Sequence, residues 1–188
     1  MPILDHFSIL APFYERFIPL TRPDVFIHHL DLPVEGTLLD AGGGTGRVAQ
    51  VLRGFAGQIV LVDLSMGMLR QANVKKGVQV VGAKTERLPF PDGTFERVLM
   101  VDALHHVINQ ATTCTELWRV LKKGGRVVIE EPDVRKLSVK FVALMEKVAL
   151  MRSHFLTPSY ILNLFPSQEA SRHIEMDGDN AWVIIEKL

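Results

Sequence analysis

Apolar positions fall in short runs that alternate with helical patterns along the middle of the chain. Runs at 36–41, 58–63, 78–81, 95–101 and 126–130 are four to seven residues long and rich in Val, Ile and Leu. Such runs predict strands buried on both faces. Between them, stretches at about 45–54, 66–75 and 109–122 carry apolar residues at helical spacing, the last ending at Gly124-Gly125, which reads as a helix C-cap followed by a turn. Alternating strands and helices predict a parallel α/β sheet with right-handed crossovers.

The flanks read differently. Residues 5–18 place Phe7, Leu10, Ala11, Tyr14, Phe17 and Ile18 on one helical face, with Pro12 as a break, and a short helix is predicted at 23–31. Past Pro132, residues 137–153 predict a helix with Leu137, Phe141, Leu144, Met145, Val148 and Met151 on one side. Thr157-Pro158 reads as an N-cap and N1 proline. Strand patterns at 172–176 and 181–186 flank Asp177-Gly178-Asp179-Asn180, which predicts a closing antiparallel hairpin. One domain over 1–188 is expected: a helical cap at 1–35, a core at 36–131, a small helical segment on the substrate side at 132–168 and the hairpin at 169–188.

Composition adds exclusions. The 21 basic residues balance the 21 acidic ones with no basic stripe, which gives no electrostatic case for nucleic acid. One cysteine, Cys114, cannot make an internal disulfide and reads as a small core residue. No run reaches the length of a membrane span and the first ten residues do not read as a signal peptide, so a cytoplasmic protein is expected.

The chemistry gathers in Thr37-Leu38-Leu39-Asp40-Ala41-Gly42-Gly43-Gly44-Thr45-Gly46. A strand running into a glycine turn and a helix lets a ligand approach the backbone closely. A dinucleotide site wants Gly-x-Gly-x-x-Gly. Here Gly42, Gly44 and Gly46 stand at every second position, and Arg47 holds the place of the third glycine. Asp40, two residues before the turn, would repel a pyrophosphate but suits the ammonium of a methionine moiety. Asp63, at the end of the second strand, is placed to accept both hydroxyls of a ribose. The combination favours S-adenosylmethionine over a dinucleotide. Packing glycines and a solvated strand-end acid are the plainer alternatives.

Five ordered blocks resemble the class I S-adenosylmethionine-dependent methyltransferases, of the type that includes the ubiquinone/menaquinone-biosynthesis C-methyltransferases. They are Leu38 to Gly46, then Val62-Asp63-Leu64-Ser65 with Met68-Leu69, then Leu88-Pro89-Phe90-Pro91-Asp92-Gly93-Thr94-Phe95, then Asp102-Ala103-Leu104-His105-His106-Val107, and Glu116 to Gly125. The resemblance implies a Rossmann-like fold with a seven-stranded, mostly parallel sheet, an antiparallel last strand, and helices on both faces. It implies that Asp40 and the glycines hold the methionine end, that Asp63 holds the ribose, that Leu64 and Met68 line the adenine pocket, and that Asp102 and Ala103 pass beside the methionine end. Tyr14 would lie on an opening helix folded over the site. S-adenosylhomocysteine would be the second product. The family commonly places an acid for the adenine amino group where this chain has Lys84, which cannot accept a hydrogen bond. Backbone at Lys84 and Thr85, or the side chains of Thr85 and Glu86, would have to serve instead.

Methyl transfer needs alignment more than a catalytic triad. Candidate bases beyond the fourth strand are His105 and Asp102, with His106 expected to pack under the sheet edge. Glu130 and Glu131 end the fifth strand, where they either face the pocket or, as is commoner, are surface acids. No metal is expected: His28-His29 and His105-His106 are adjacent pairs, without the i, i+4 spacing of a helical site. The expected function is methylation, at carbon or oxygen, of a small apolar or aromatic acceptor, with no nucleic-acid or membrane partner and a homodimer as an option. A non-catalytic S-adenosylmethionine-binding or scaffold protein is the alternative, and a nicotinamide oxidoreductase a third.

Overall fold

A computed structural model describes residue 11 and residues 22–148, 153–166 and 168–188. The predicted opening helix with Tyr14, and Met151 of the helix near 137–153, lie outside the described residues. Helix α1 spans Pro23–Leu30 and leads into β1, Val34–Ala41. Then follow α2 (Arg47–Leu52), β2 (Ala56–Asp63), α3 (Met66–Ala72), β3 (Val78–Gly82) and β4 (Phe95–Val101). A 3-10 turn at Leu104–His106 precedes α4 (Gln110–Val120), β5 (Leu121–Pro132), α5 (Leu137–Val148), α6 (Pro158–Asn163), β6 (Ala170–Asp177) and β7 (Asn180–Lys187).

The seven strands form one sheet in the order β3-β2-β1-β4-β5-β7-β6. Strands β1 to β5 are mutually parallel, and β7 runs antiparallel to both of its neighbours, β5 and β6. The expected α/β class, its antiparallel last strand and the hairpin turning at Gly178 (φ +61°) are therefore present. The order reverses beside β1, so the crevice beyond its C-terminal end is the place where open α/β sheets bind ligands.

Strand alternation divides the core into two layers. Leu39, Val60, Val98 and Val127 meet Cys114, Leu117 and Val120 of α4, and Ile161 of α6. On the other face Leu38, Ile59, Leu99 and Val128 meet Phe26 and Leu30 of α1, Val48 and Leu52 of α2, and Leu69 and Ala72 of α3. Cys114 is buried in the first layer, and burial pushes its thiol up to about 12, which leaves it inert.

Two expectations change. Helix α4 stops at Val120, and Leu121 is already extended, so Gly124-Gly125 does not cap it. The pair lies inside β5, where the register to β4 shifts between Phe95 and Arg97 and Gly124 takes φ +75°. Glycines in a strand mark such an irregularity as readily as they mark a helix end. In helix α5 the apolar side that the spacing predicts is largely uncovered. Val139 is buried, but Leu137, Phe141, Val142, Leu144 and Met145 are exposed. Thr157 does cap α6, its hydroxyl accepting the Tyr160 N–H.

Candidate functional site

The turn after β1 is built by backbone. Gly42 and Gly43 both donate to the Val62 carbonyl, and the Gly46 N–H closes on the Gly43 carbonyl at 2.9 Å. Gly42, Gly44 and Gly46 all have positive φ, at +71°, +56° and +76°. Gly42 is constrained twice over. A Cβ there would be strained by φ and would stand 2.7 Å from the Ala103 Cβ. Ala103, at the end of β4, therefore faces the turn directly.

Asp63 reaches back to this turn. One carboxylate oxygen accepts the Gly44 N–H at 2.9 Å and the other accepts the Ser65 N–H at 2.8 Å. Each oxygen has further acceptor capacity. Asp63 thus fixes the turn and lies at the edge of the crevice. Met68 is buried with its sulfur 3.8 Å from where a Gly44 Cβ would lie, whereas Leu64 is 64% exposed.

Asp40 is buried beneath the turn. Among the described residues its Oδ2 has no hydrogen-bond partner, and it would lie 2.6 Å from a Cβ on Gly43. Burial raises its carboxyl to about 7; Arg47 pulls downward and Asp63 pushes further up. The role of Arg47 was not legible in the sequence. Its Nη2 lies 3.3 Å from Asp102 Oδ2, which joins the start of α2 to the end of β4. Asp102 holds φ +49°, an uncommon conformation for a non-glycine residue, and its N–H donates to the Glu130 carbonyl.

Glu130 and Glu131 are buried rather than solvated, which corrects the expectation for them. They point to opposite sides of β5. Glu130 accepts from Asn180 Nδ2 at 2.6 Å, and burial, with Asp102 beside it, raises its carboxyl to about 7. Glu131 takes the N–H groups of Ala103 and Leu104 on Oε1, at 3.0 and 2.7 Å, and places Oε2 2.6 Å from His105 Nδ1. His105 is buried, and Phe155 stacks on its ring at 4.3 Å. His106 lies beside it, and burial lowers its imidazole to about 3, so it is neutral at physiological pH.

The segment before β4 contributes less than expected. Lys84 is exposed. Thr85 is buried with its hydroxyl 3.2 Å from that of Thr113, so its side chain faces α4 rather than a ligand. Glu86 Oε1 accepts the Ile108 and Asn109 N–H groups, which turns that oxygen toward the loop before α4.

Asp40, the glycines, Asp63, Met68, Asp102 and Ala103 are therefore brought together at the C-terminal ends of β1, β2 and β4. His105 stands one turn further on, and Thr85 turns away.

A family model for the methyltransferase domain matches residues 39–129. A ubiquinone/menaquinone biosynthesis C-methyltransferase of Coxiella burnetii is 35% identical over 104 residues, covering 50% of this chain and 42% of that protein. Its Escherichia coli counterpart is 34% identical over 120 residues, 57% of this chain and 48% of its own length. The matched region thus spans less than half of these curated relatives. Among solved structures, the PH0226 protein of Pyrococcus horikoshii superposes with a TM-score of 0.78 at 19% identity, covering 99% of this chain and 100% of that one. A SAM-dependent methyltransferase of Thermotoga maritima gives 0.77 at 21% identity, with 97% and 98% covered. Residues 39–129 thus match the methyltransferase-domain model, and over about half of its length the chain is similar to the ubiquinone/menaquinone biosynthesis C-methyltransferases.

Proposed function

We propose that this protein methylates a small, apolar or aromatic acceptor at carbon or oxygen, with S-adenosylhomocysteine as the second product. The observation that carries the reading is electrostatic. Among the described residues, Asp40, Asp63, Asp102 and Glu130 gather around one glycine turn, against the guanidinium of Arg47 and the ammonium of Lys75. An excess of carboxylates around exposed backbone suits a cationic ligand and opposes a pyrophosphate. The partnerless Asp40 Oδ2 fits an ammonium, directly or through water.

When bound, S-adenosylmethionine supplies a methyl group activated by its sulfonium. The remaining work belongs to the protein. Gly42 and Gly44 keep the backbone open to close approach, Asp63 offers acceptors to ribose hydroxyls, and Met68 and Leu64 form an apolar wall. Backbone at Lys84 and Thr85 borders the base. Asp102 and Ala103 border the methionine end. Tyr14, outside the described residues, is assigned to the same cap.

His105 is the proposed proton acceptor for an acidic acceptor group, with Asp102 as the second candidate. Glu131 accepts two N–H groups on one oxygen, and its other oxygen faces Nδ1, so Nδ1 carries the ring proton and Nε2 is the basic nitrogen. An apolar acceptor is supported by Phe155 against His105 and by the exposed Phe141, Leu144 and Met145 of α5.

The test has two arms. Calorimetry with S-adenosylhomocysteine should show one saturable site, and methyl-labelled S-adenosylmethionine should label a member of a quinol and phenol panel. No heat with either nucleoside overturns the site. Binding without transfer to any acceptor favours the scaffold reading, which the exposed Lys84 keeps in play.

A further inference from the structure

The adjacent histidines of α1 acquire a third partner only through the fold. Strand β6 places Glu175 beside His28 and His29, and one potential ligand atom from each of the three lies within 4.8 Å of the others. Together they border a cleft of about 320 Å³, shared with Arg22, Asp177 and Trp182.

His29 is buried, yet among the described residues its Nδ1 has no hydrogen-bond partner; Glu175 Oε2 stands 3.8 Å away, too far for one. Its ring lies against Trp182 at 4.4 Å, and the Trp182 Nε1 is a second buried polar atom without a partner among the described residues. Buried polar groups are rarely left so. Arg97 donates to the Leu30 carbonyl and Arg126 to the His29 carbonyl, which tie the end of α1 to the sheet. His173 Nε2 lies 3.5 Å from Glu175 Oε1. The cation Arg22 is engaged by Asp177 at 2.8 Å.

We propose that His28, His29 and Glu175 form a binding site for a divalent transition-metal ion of the zinc class, which links α1 to the closing hairpin. Two imidazoles and one carboxylate form a donor set that zinc accepts, with water completing the coordination. Tetrahedral zinc needs ligand atoms roughly 3.4 Å apart, given bonds of about 2.0–2.1 Å. His29 is fixed by packing, while His28 and Glu175 are exposed and free to rotate inward. The site is at the β6 edge of the sheet, away from the glycine turn, and does not depend on the methyl-transfer reading.

Titration of the untagged full chain with zinc(II), read against a chromophoric chelator, should show one equivalent bound with a Kd at or below about 10 µM. Cobalt(II) should give the absorption of a low-coordinate site. Glu175→Gln and His28→Ala change exposed side chains, and each should weaken zinc by at least about tenfold with the circular dichroism unchanged. His154→Ala, distant in the chain, should bind as the parent does. Absence of a stoichiometric site overturns the proposal and leaves the cleft to water. Parent-like affinity in either Glu175→Gln or His28→Ala also overturns it, because the metal would then sit elsewhere.

Discussion

Glu131 and His105, twenty-six residues apart, meet at 2.6 Å in a buried pair that also ties down the loop beyond β4. The other carboxylate oxygen holds the Ala103 and Leu104 N–H groups, so one side chain sets both the backbone facing Gly42 and the histidine ring. Replacing Glu131 by Ala leaves two N–H groups without their acceptor and should cost about 3 kcal/mol of stability. Glu131→Gln keeps an acceptor for those amides but turns an N–H₂ toward Nδ1. The ring proton should then move to Nε2. Nitrogen-15 spectra of His105 would show the exchange of tautomers, and a role as base predicts a kcat at least about 100-fold lower with the nucleoside affinity unchanged.

Asp63 has two duties, and two variants separate them. Asp63→Ala releases the Gly44 and Ser65 N–H groups and removes the ribose acceptors. Binding of S-adenosylhomocysteine should weaken by about 100-fold, equivalent to two lost hydrogen bonds to a charged group. Asp63→Asn retains one acceptor oxygen for the turn and should lie between the parent and Asp63→Ala. Calorimetric affinities equal to the parent in both would remove Asp63 from the site.

The central strands β1, β2, β4 and β5 were legible because each carries an apolar run buried in the sheet, and the glycine turn because its spacing has few other uses. What the sequence hid was pairing at a distance. Glu130-Glu131 looks like a solvated strand end until Asn180, Ala103, Leu104 and His105 close around it. Arg47 was legible as a departure from a dinucleotide turn, but its partner Asp102 lies 55 residues on. His28-His29 lacked ligand spacing because the third group comes from β6. Gly124-Gly125 has the same composition as a helix end and a strand irregularity, and only the pairing with β4 tells them apart.

Asp40 should make both stability and binding depend on pH. Its carboxyl titrates near 7 in the folded protein, above its ordinary value of 3.8. Between those values the folded state holds the proton that the unfolded state has lost. This contribution therefore favours folding at low pH and declines as pH rises from about 4 to about 7. Binding of an ammonium-bearing nucleoside has the opposite sign, since the ionised carboxylate is the acceptor. Affinity should rise several-fold between pH 6 and 7.5, in line with the roughly tenfold change in ionised fraction per pH unit below the pKa. Asp40→Asn should flatten both profiles. At pH 8 it should also raise the melting temperature, by about 2–4 °C for each kcal/mol of desolvation relieved. A pH-independent affinity in the parent would place the ammonium elsewhere.

Gly42 and Ala103 offer a test of how tightly the turn is packed. Gly42→Ala introduces two separate penalties: a side chain at φ +71°, and a Cβ 2.7 Å from the Ala103 Cβ. The conformational part costs about 1–2 kcal/mol whatever surrounds it. The clash should be relieved by removing the opposing methyl group. Ala103→Gly alone should be mildly destabilising, and Gly42→Ala should lose measurable S-adenosylhomocysteine binding together with about 3 kcal/mol of stability. The double variant should recover the clash but not the φ penalty, so its loss should be smaller than the sum of the singles by about 1 kcal/mol or more. Strict additivity in denaturant titrations would mean that β1 and β4 do not meet at these two positions, and that the turn is held open by something other than Ala103.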